Sequence, residues 1–188
     1  MEDKVISDNL SLLGYTRQWL DYGILMVDDL RKQCEDFQTG EDTHSEHYRY
    51  GTFRRYLTSK RSLSDEELAN YLHLVVADDD GIMAGAATQD LFSLISLTDS
   101  QFKYTCEKVD ALDEKWKTRL LARQKLLRLL KRKGLSPSLF TDCLRNGDKI
   151  VQEFIVDLAD KQQLAELAAS GVTKKVRSLA TARARHIT

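Results

Sequence analysis

The 188-residue chain carries 28 Lys plus Arg against 29 Asp plus Glu, a net charge of −1. With 42% hydrophobic and 30% charged residues, nine glycines and one proline, it is excluded from the collagen-like, low-complexity and wholly disordered classes. Its length suits one compact domain or one short repeat array.

The first residues, Met1-Glu2-Asp3-Lys4, are acidic, and no apolar stretch of signal-peptide length follows them, so a cytoplasmic protein is expected. The longest aliphatic runs, 24–27 and 74–77, hold four residues, far short of the roughly 20 that cross a bilayer. No membrane span is expected. Cys34, Cys106 and Cys143 are odd in number, widely spaced and without a C-x-x-C pair. They read as buried thiols in a reducing compartment, not as a disulfide framework or zinc site.

In chain order, helices are predicted over 9–21, 24–37 and 46–60, with Gly23 and Gly40 as punctuation. Next comes a start signal that recurs: Leu63-Ser64-Asp65-Glu66-Glu67-Leu68, Leu97-Thr98-Asp99-Ser100-Gln101-Phe102 and Leu135-Ser136-Pro137-Ser138-Leu139-Phe140. Ser64, Thr98 and Ser136 stand where a hydroxyl accepts hydrogen bonds from first-turn amides that have no partner within the helix. Glu67 and Gln101 complete capping boxes, and Pro137 fits the first helical position. Each apolar residue before the cap pairs with one five positions on, as in a hydrophobic staple. Asp160 with Gln163 and Leu164 is a fourth, weaker instance.

From Leu63 to Leu97 is 34 residues and from Leu97 to Leu135 is 38, the length of a two-helix repeat. The second helix of one repeat is predicted over 80–95, where Met83, Ala87, Leu91, Leu94 and Ile95 form a stripe and Asp78, Asp79 and Asp80 load the first turn. That of the next spans 113–133, with Trp116, Leu120, Leu127 and Leu130 on one side and Leu121, Leu126 and Leu129 widening the apolar arc. Lys131-Arg132-Lys133-Gly134 ends it with cations and a glycine. Helices over 149–158, 161–169 and 173–183 follow, the last two rich in alanine for close packing. No strand is predicted, because no turn dipeptide separates alternating apolar runs.

The paired helices, together with Leu167-Ala168-Ala169-Ser170-Gly171-Val172-Thr173-Lys174-Lys175-Val176-Arg177-Ser178-Leu179-Ala180, resemble HEAT-like α-solenoid proteins, chiefly through Val176-Arg177 and Leu179-Ala180. The resemblance covers roughly residues 46–183 and rests on repeat length. The proline usual in the first helix of a HEAT repeat is absent. The resemblance implies an all-α fold, a right-handed superhelix of antiparallel helix pairs that grips another macromolecule without catalysis. Capping helices would occupy 1–45, two-helix repeats 46–160 and shorter caps 161–188, in one helical-repeat domain. The alternative is a compact helical bundle.

Residues 1–100 hold 9 Lys plus Arg and 19 Asp plus Glu, net −10, whereas residues 101–188 hold 19 and 10, net +9. In a solenoid that split would separate an acidic end from a basic end; solvated faces are the plainer reading. The expected function is a protein-binding module that occludes a partner, with an immunity or antitoxin protein against a basic nuclease toxin as one concrete version. Glu41, Asp42, Asp78, Asp79, Asp80, Tyr48 and Tyr50 are the candidate partner-binding residues. The second function class is nucleic-acid binding, with Lys125, Arg128 and Arg132 on one helical face as phosphate ligands and Lys115, Arg119 and Arg123 nearby.

His44 and His47, with Glu41 and Asp42 upstream, offer imidazoles three residues apart but no full ligand set, so no metal and no cofactor are expected. His73 lies in an apolar stretch and is expected to be partly buried. Tyr48, Tyr50, Phe53, Arg54, Arg55 and Tyr56 would either stack bases or, more simply, pack Phe53 and Tyr56 inward with Arg54 and Arg55 wet. No P-loop, dinucleotide fingerprint, nucleophile elbow or H-E-x-x-H motif is present, and the chain is read as a non-enzyme.

Overall fold

A computed structural model describes residues 2–40 and 42–186. Among the described residues there are twelve helices and no strand, so the fold is all-α. They are α1 (Glu2–Leu12), α2 (Gln18–Asp21), α3 (Val27–Thr39), α4 (Ser45–Thr58), α5 (Asp65–Val76), α6 (Gly81–Leu94), α7 (Asp99–Asp110), α8 (Trp116–Lys133), α9 (Pro137–Asn146), α10 (Lys149–Val156), α11 (Lys161–Ser170) and α12 (Lys174–Ala184). No helix among the described residues is long and apolar enough to cross a membrane.

The recurrent starts form as local chemistry dictates. Ser64 and Thr98 each accept the amide of the residue three on, while Glu67 and Gln101 return a bond to the cap amide. Asp160 with Gln163 makes a third complete capping box, and Ser136 caps α9 with Pro137 in its first turn. Thr173 caps α12 through the Val176 amide. Gly134 closes α8 at φ +71°, a left-handed conformation that a side chain resists.

Four expectations need correction. Residues 9–21 do not form one helix: α1 ends at Leu12, Gly14 turns the chain at φ +70°, and Leu13 and Tyr15 are buried within the break. The helix expected from residue 24 starts at Val27, because the amides of Ile24 and Leu25 are taken by the Trp19 carbonyl, at 3.1 and 3.0 Å. His73 is exposed, and its ring meets that of Tyr22 edge-on at 5.9 Å. The apolar arc of α8 is narrower than expected, since Leu129 is exposed.

Contacts divide the chain into two compact units, Met1–Lys115 and Trp116–Thr188. The dividing line falls inside the stretch read from sequence as two-helix repeats. In the first unit α1 packs on α3, α4 on α6, and α5 on both α6 and α7. In the second, α8 packs on α9 and α10, α9 on α10 and α11, α10 on α11 and α12, and α11 on α12. Every extensive packing thus joins a helix to the next or the next but one.

The first unit is built on a run of rings: Tyr15 against Trp19 (4.8 Å), Trp19 against Phe53 (4.3 Å) and Phe53 against Tyr71 (4.8 Å). Tyr71 is fully buried and donates its hydroxyl to the Ala87 carbonyl of α6 at 3.1 Å. Beside the rings lies a buried polar knot in which the Tyr15 hydroxyl donates to Gln33 Oε1 at 2.7 Å and Gln33 Nε2 donates to Thr52 at 3.1 Å. Desolvation pushes the Tyr15 phenol well above its ordinary pKa, so it acts only as a neutral hydrogen-bonding group.

The second unit has an aliphatic core in which Val151, Ile155, Leu164, Leu167, Val176 and Ala180 are fully buried. Its polar clasp is Gln152, 1% exposed. Nε2 donates to the Leu144 carbonyl at 2.9 Å and the Gly147 carbonyl at 3.3 Å, while Oε1 accepts the Val172 amide at 2.8 Å. One side chain therefore ties the end of α9 to the α11–α12 turn. Replacing it by an isosteric hydrocarbon strands these buried groups. Gln152→Leu is expected to destabilise the second unit by about 2–3 kcal/mol, against about 1 kcal/mol for the cap variant Thr173→Ala; urea denaturation of the full chain checks the ranking.

Candidate functional site

Two stretches of the first unit meet to form the candidate site: the segment that enters α4, and the turn from α5 to α6. Asp42 stands before α4, accepting the His44 amide at 2.9 Å and His47 Nδ1 at 2.7 Å. The Tyr48 hydroxyl donates to the Asp42 carbonyl at 3.1 Å. One turn further along, Arg49 reaches Asp78 with two bonds, from Nε at 2.8 Å and from Nη2 at 3.2 Å. Both side chains are buried, 9% and 5% exposed. Nη1 also donates to the Leu13 carbonyl at 2.8 Å and to Ser45 Oγ at 3.2 Å. This guanidinium therefore joins the turn after α1, α4 and the α5–α6 turn.

The three consecutive aspartates divide their work. Asp78 is the buried partner of Arg49 and also accepts the Asp80 amide at 2.9 Å. Asp80 caps α6, accepting the Met83 amide at 2.8 Å. Asp79 is exposed. The expected loading of a first turn with three acids is thus corrected: α6 begins at Gly81, and Asp80 is its one capping acid. Asp80 also lies near enough to His47 to favour its protonated form.

The structure thus gathers Asp42, Tyr48, Asp78, Asp79 and Asp80 around one locus. Glu41 lies outside the described residues. Tyr50 is elsewhere, because two residues along a helix turn a side chain to the opposite face. Its hydroxyl donates to Asp90 of α6 at 2.9 Å and accepts from Arg54 at 3.1 Å, so it serves the α4–α6 packing. Arg54 and Arg55 are exposed and Phe53 is fully buried.

Two participants escape the sequence reading. Arg49 sits in a run of mixed aromatic and basic residues with nothing to mark it as the buried one. Ile82 is apolar yet lies off the Met83–Ala87–Leu91 stripe, at a solvent position of α6. It is 86% exposed, beside Asp80 and Gly81. The Glu114 carboxylate lies against Gly81, in the space a Cβ would fill. An isoleucine with an aspartate before it and a glutamate alongside is a surface suited to an apolar contact ringed by positive charge.

The metal-like constellation is occupied by its own hydrogen bonds. His47 Nδ1 is held by Asp42, and His44 Nδ1 lies 3.1 Å from Glu46 Oε1. Among the described residues no group of three or more His, Cys, Asp or Glu side chains is placed to hold a metal ion. The hydrogen bonds from the His44 amide and the His47 ring hold the Asp42 carboxyl below its ordinary range, and the bond to Asp42 raises His47.

In the second unit, Lys125 and Arg132 are exposed on α8 and Arg128 is half-buried. Arg119 and Arg123, expected nearby, turn instead to Asp148 at the start of α10, at 3.6 and 2.6 Å. Burial acts to raise the Asp148 carboxyl, but the Arg123 hydrogen bond and the Val151 and Ile150 amides outweigh it and leave it below the ordinary range.

No protein-family model matches the chain, and no curated protein or solved structure matches it significantly.

Two outcomes follow for this locus. Arg49→Ala leaves Asp78 buried without its partner and is expected to cost about 3–5 kcal/mol; the double variant Arg49→Met/Asp78→Leu should recover part of that loss in urea denaturation. His47 should titrate above 6.5 in NMR and fall towards that value in Asp42→Asn. Because the folded value is raised, the tie stabilises fully below 6.5 and its contribution is lost as pH rises through the folded value.

Proposed function

We propose that the chain is a non-enzymatic helical-repeat protein whose first unit binds a basic protein and covers part of its surface. The observation that carries this reading is the match between charge and compact units. The first unit, 1–115, holds 12 Lys plus Arg against 23 Asp plus Glu, net −11; the second, 116–188, holds 16 against 6, net +10. The break between units thus separates the charges more sharply than the midpoint of the sequence does. A field of one sign over a whole unit accelerates encounter with an oppositely charged partner and rejects like-charged ones.

Packing of each helix on the next or next but one supports a HEAT-like stack of hairpins within each unit. Ile82, exposed among acids, supports a contact that combines an apolar anchor with a polar rim. An immunity or antitoxin protein masking the cationic groove of a nuclease is the most concrete form of this reading. The alternative, nucleic-acid binding through Lys125, Arg128 and Arg132, draws on the net charge of the second unit.

Affinity capture with the tagged full chain tests the choice. A basic protein is expected, released by raised salt and recovered several-fold less well by Ile82→Ser, whose thermal stability should match that of the wild type. Recovery of no basic protein would overturn the reading. A salt-dependent gel shift with DNA or RNA, lost in Lys125→Glu, would favour the alternative.

A further inference from the structure

The Arg49–Asp78 pair forms one wall of an open cavity of about 310 Å³ in the first unit. It is lined by Gly14, Thr16, Trp19, Leu74, Ala77 and Asp79; Trp19 and Leu74 are almost wholly buried, 3% and 2% exposed, so the exposed Thr16 and Ala77 carry its open apolar surface. A side chain at Gly14 is disfavoured on two counts: its φ is +70°, and a Cβ would stand 2.7 Å from Arg49 Nη1, whose bonds hold it in place. The cavity is therefore made by tertiary packing, which brings Asp78 and Asp79 of the acidic run against Gly14 and Arg49.

We infer that this cavity receives the side chain of a lysine from the bound partner, with its aliphatic stem along Thr16 and Ala77 and its ammonium group at Asp79. The inference rests on the reading of the first unit as the surface for a basic protein, and it specifies one contact within it. The charge of Arg49 is matched by the bidentate bonds to Asp78. Asp79, exposed, then gives the lining its net negative charge. A ligand with an apolar shaft and a cationic tip fits such a lining, because the shaft packs against the methyl groups of Thr16 and Ala77 while the tip stays hydrated beside a carboxylate. An anionic ligand meets Asp79 and the net −11 of the unit, and a purely apolar one leaves that carboxylate unmatched.

The test uses the full chain and two small probes, Nα-acetyl-lysine methylamide and its neutral analogue Nα-acetyl-norleucine methylamide, followed by backbone amide NMR. The lysine probe should produce saturable shifts at Gly14, Thr16, Ala77 and Asp79, and norleucine should bind about fivefold more weakly, the range of a single partly exposed charge pair. Asp79→Asn, a surface change that leaves the fold intact, should weaken the lysine probe by a similar factor and leave norleucine unchanged. Absence of saturable shifts at these amides, equal affinity of the two probes, or indifference to Asp79→Asn would overturn the pocket assignment. The capture experiment separates the two ideas. A basic partner retained by a chain that ignores the lysine probe removes the pocket alone; a probe that binds in a chain capturing no basic protein removes the wider function alone.

Discussion

Buried polar side chains that reach from one helix to the backbone end of another hold this molecule in register. A helix terminus presents amides or carbonyls with no partner inside the helix, and burying them unmet costs more than any single apolar contact returns. Arg49 meets the Leu13 carbonyl, and Gln101 donates to the Leu63 carbonyl and to Asp65 at 2.9 Å each. Gln152 closes the end of α9 and the start of the α11–α12 turn. Each is below 9% exposed. Apolar packing drives the helices together, but it is non-directional. These three side chains accept one placement of their neighbours and penalise others.

The same requirement shapes the candidate site. Arg49 can sit in the interior only because Asp78 balances its charge and Ser45 and Leu13 take its other donors. That arrangement fixes the α5–α6 turn against the start of α4, and so brings Asp80 within electrostatic reach of His47, the partner of Asp42. The buried ion pair and the placement of the acidic turn are therefore one construction. The neighbouring Asp42–His47 tie is exposed and adds local order without carrying the fold.

Much of the helical framework was legible from sequence because its determinants are local. Caps at Ser64, Thr98, Ser136 and Asp160 act over three residues, and all four are where the sequence puts them. The amino-terminal region departs from its sequence pattern for the opposite reason. The apolar pattern of residues 9–21 suits a helix, yet Gly14 and the burial of Leu13 and Tyr15 against other elements break it. In α8, the cations were visible, but Asp148, 25 residues on from Arg123, drew two of them away. Of the acidic candidates, their placement near one another was not legible, since the α4 entrance and the α5–α6 turn are more than 30 residues apart.

By itself, the sequence determined that the chain is helical, where most helices begin, that its cysteines are buried thiols, and that its charge is segregated, because each depends on composition or on interactions within one turn. Tertiary structure alone decided which charges are consumed by pairing and which remain at the surface. Asp78 and Asp79 are identical in type and adjacent in the chain, yet the first is locked to Arg49 and the second is exposed. That difference is set by which side chain arrives from a distant helix, and no property of the local sequence encodes it.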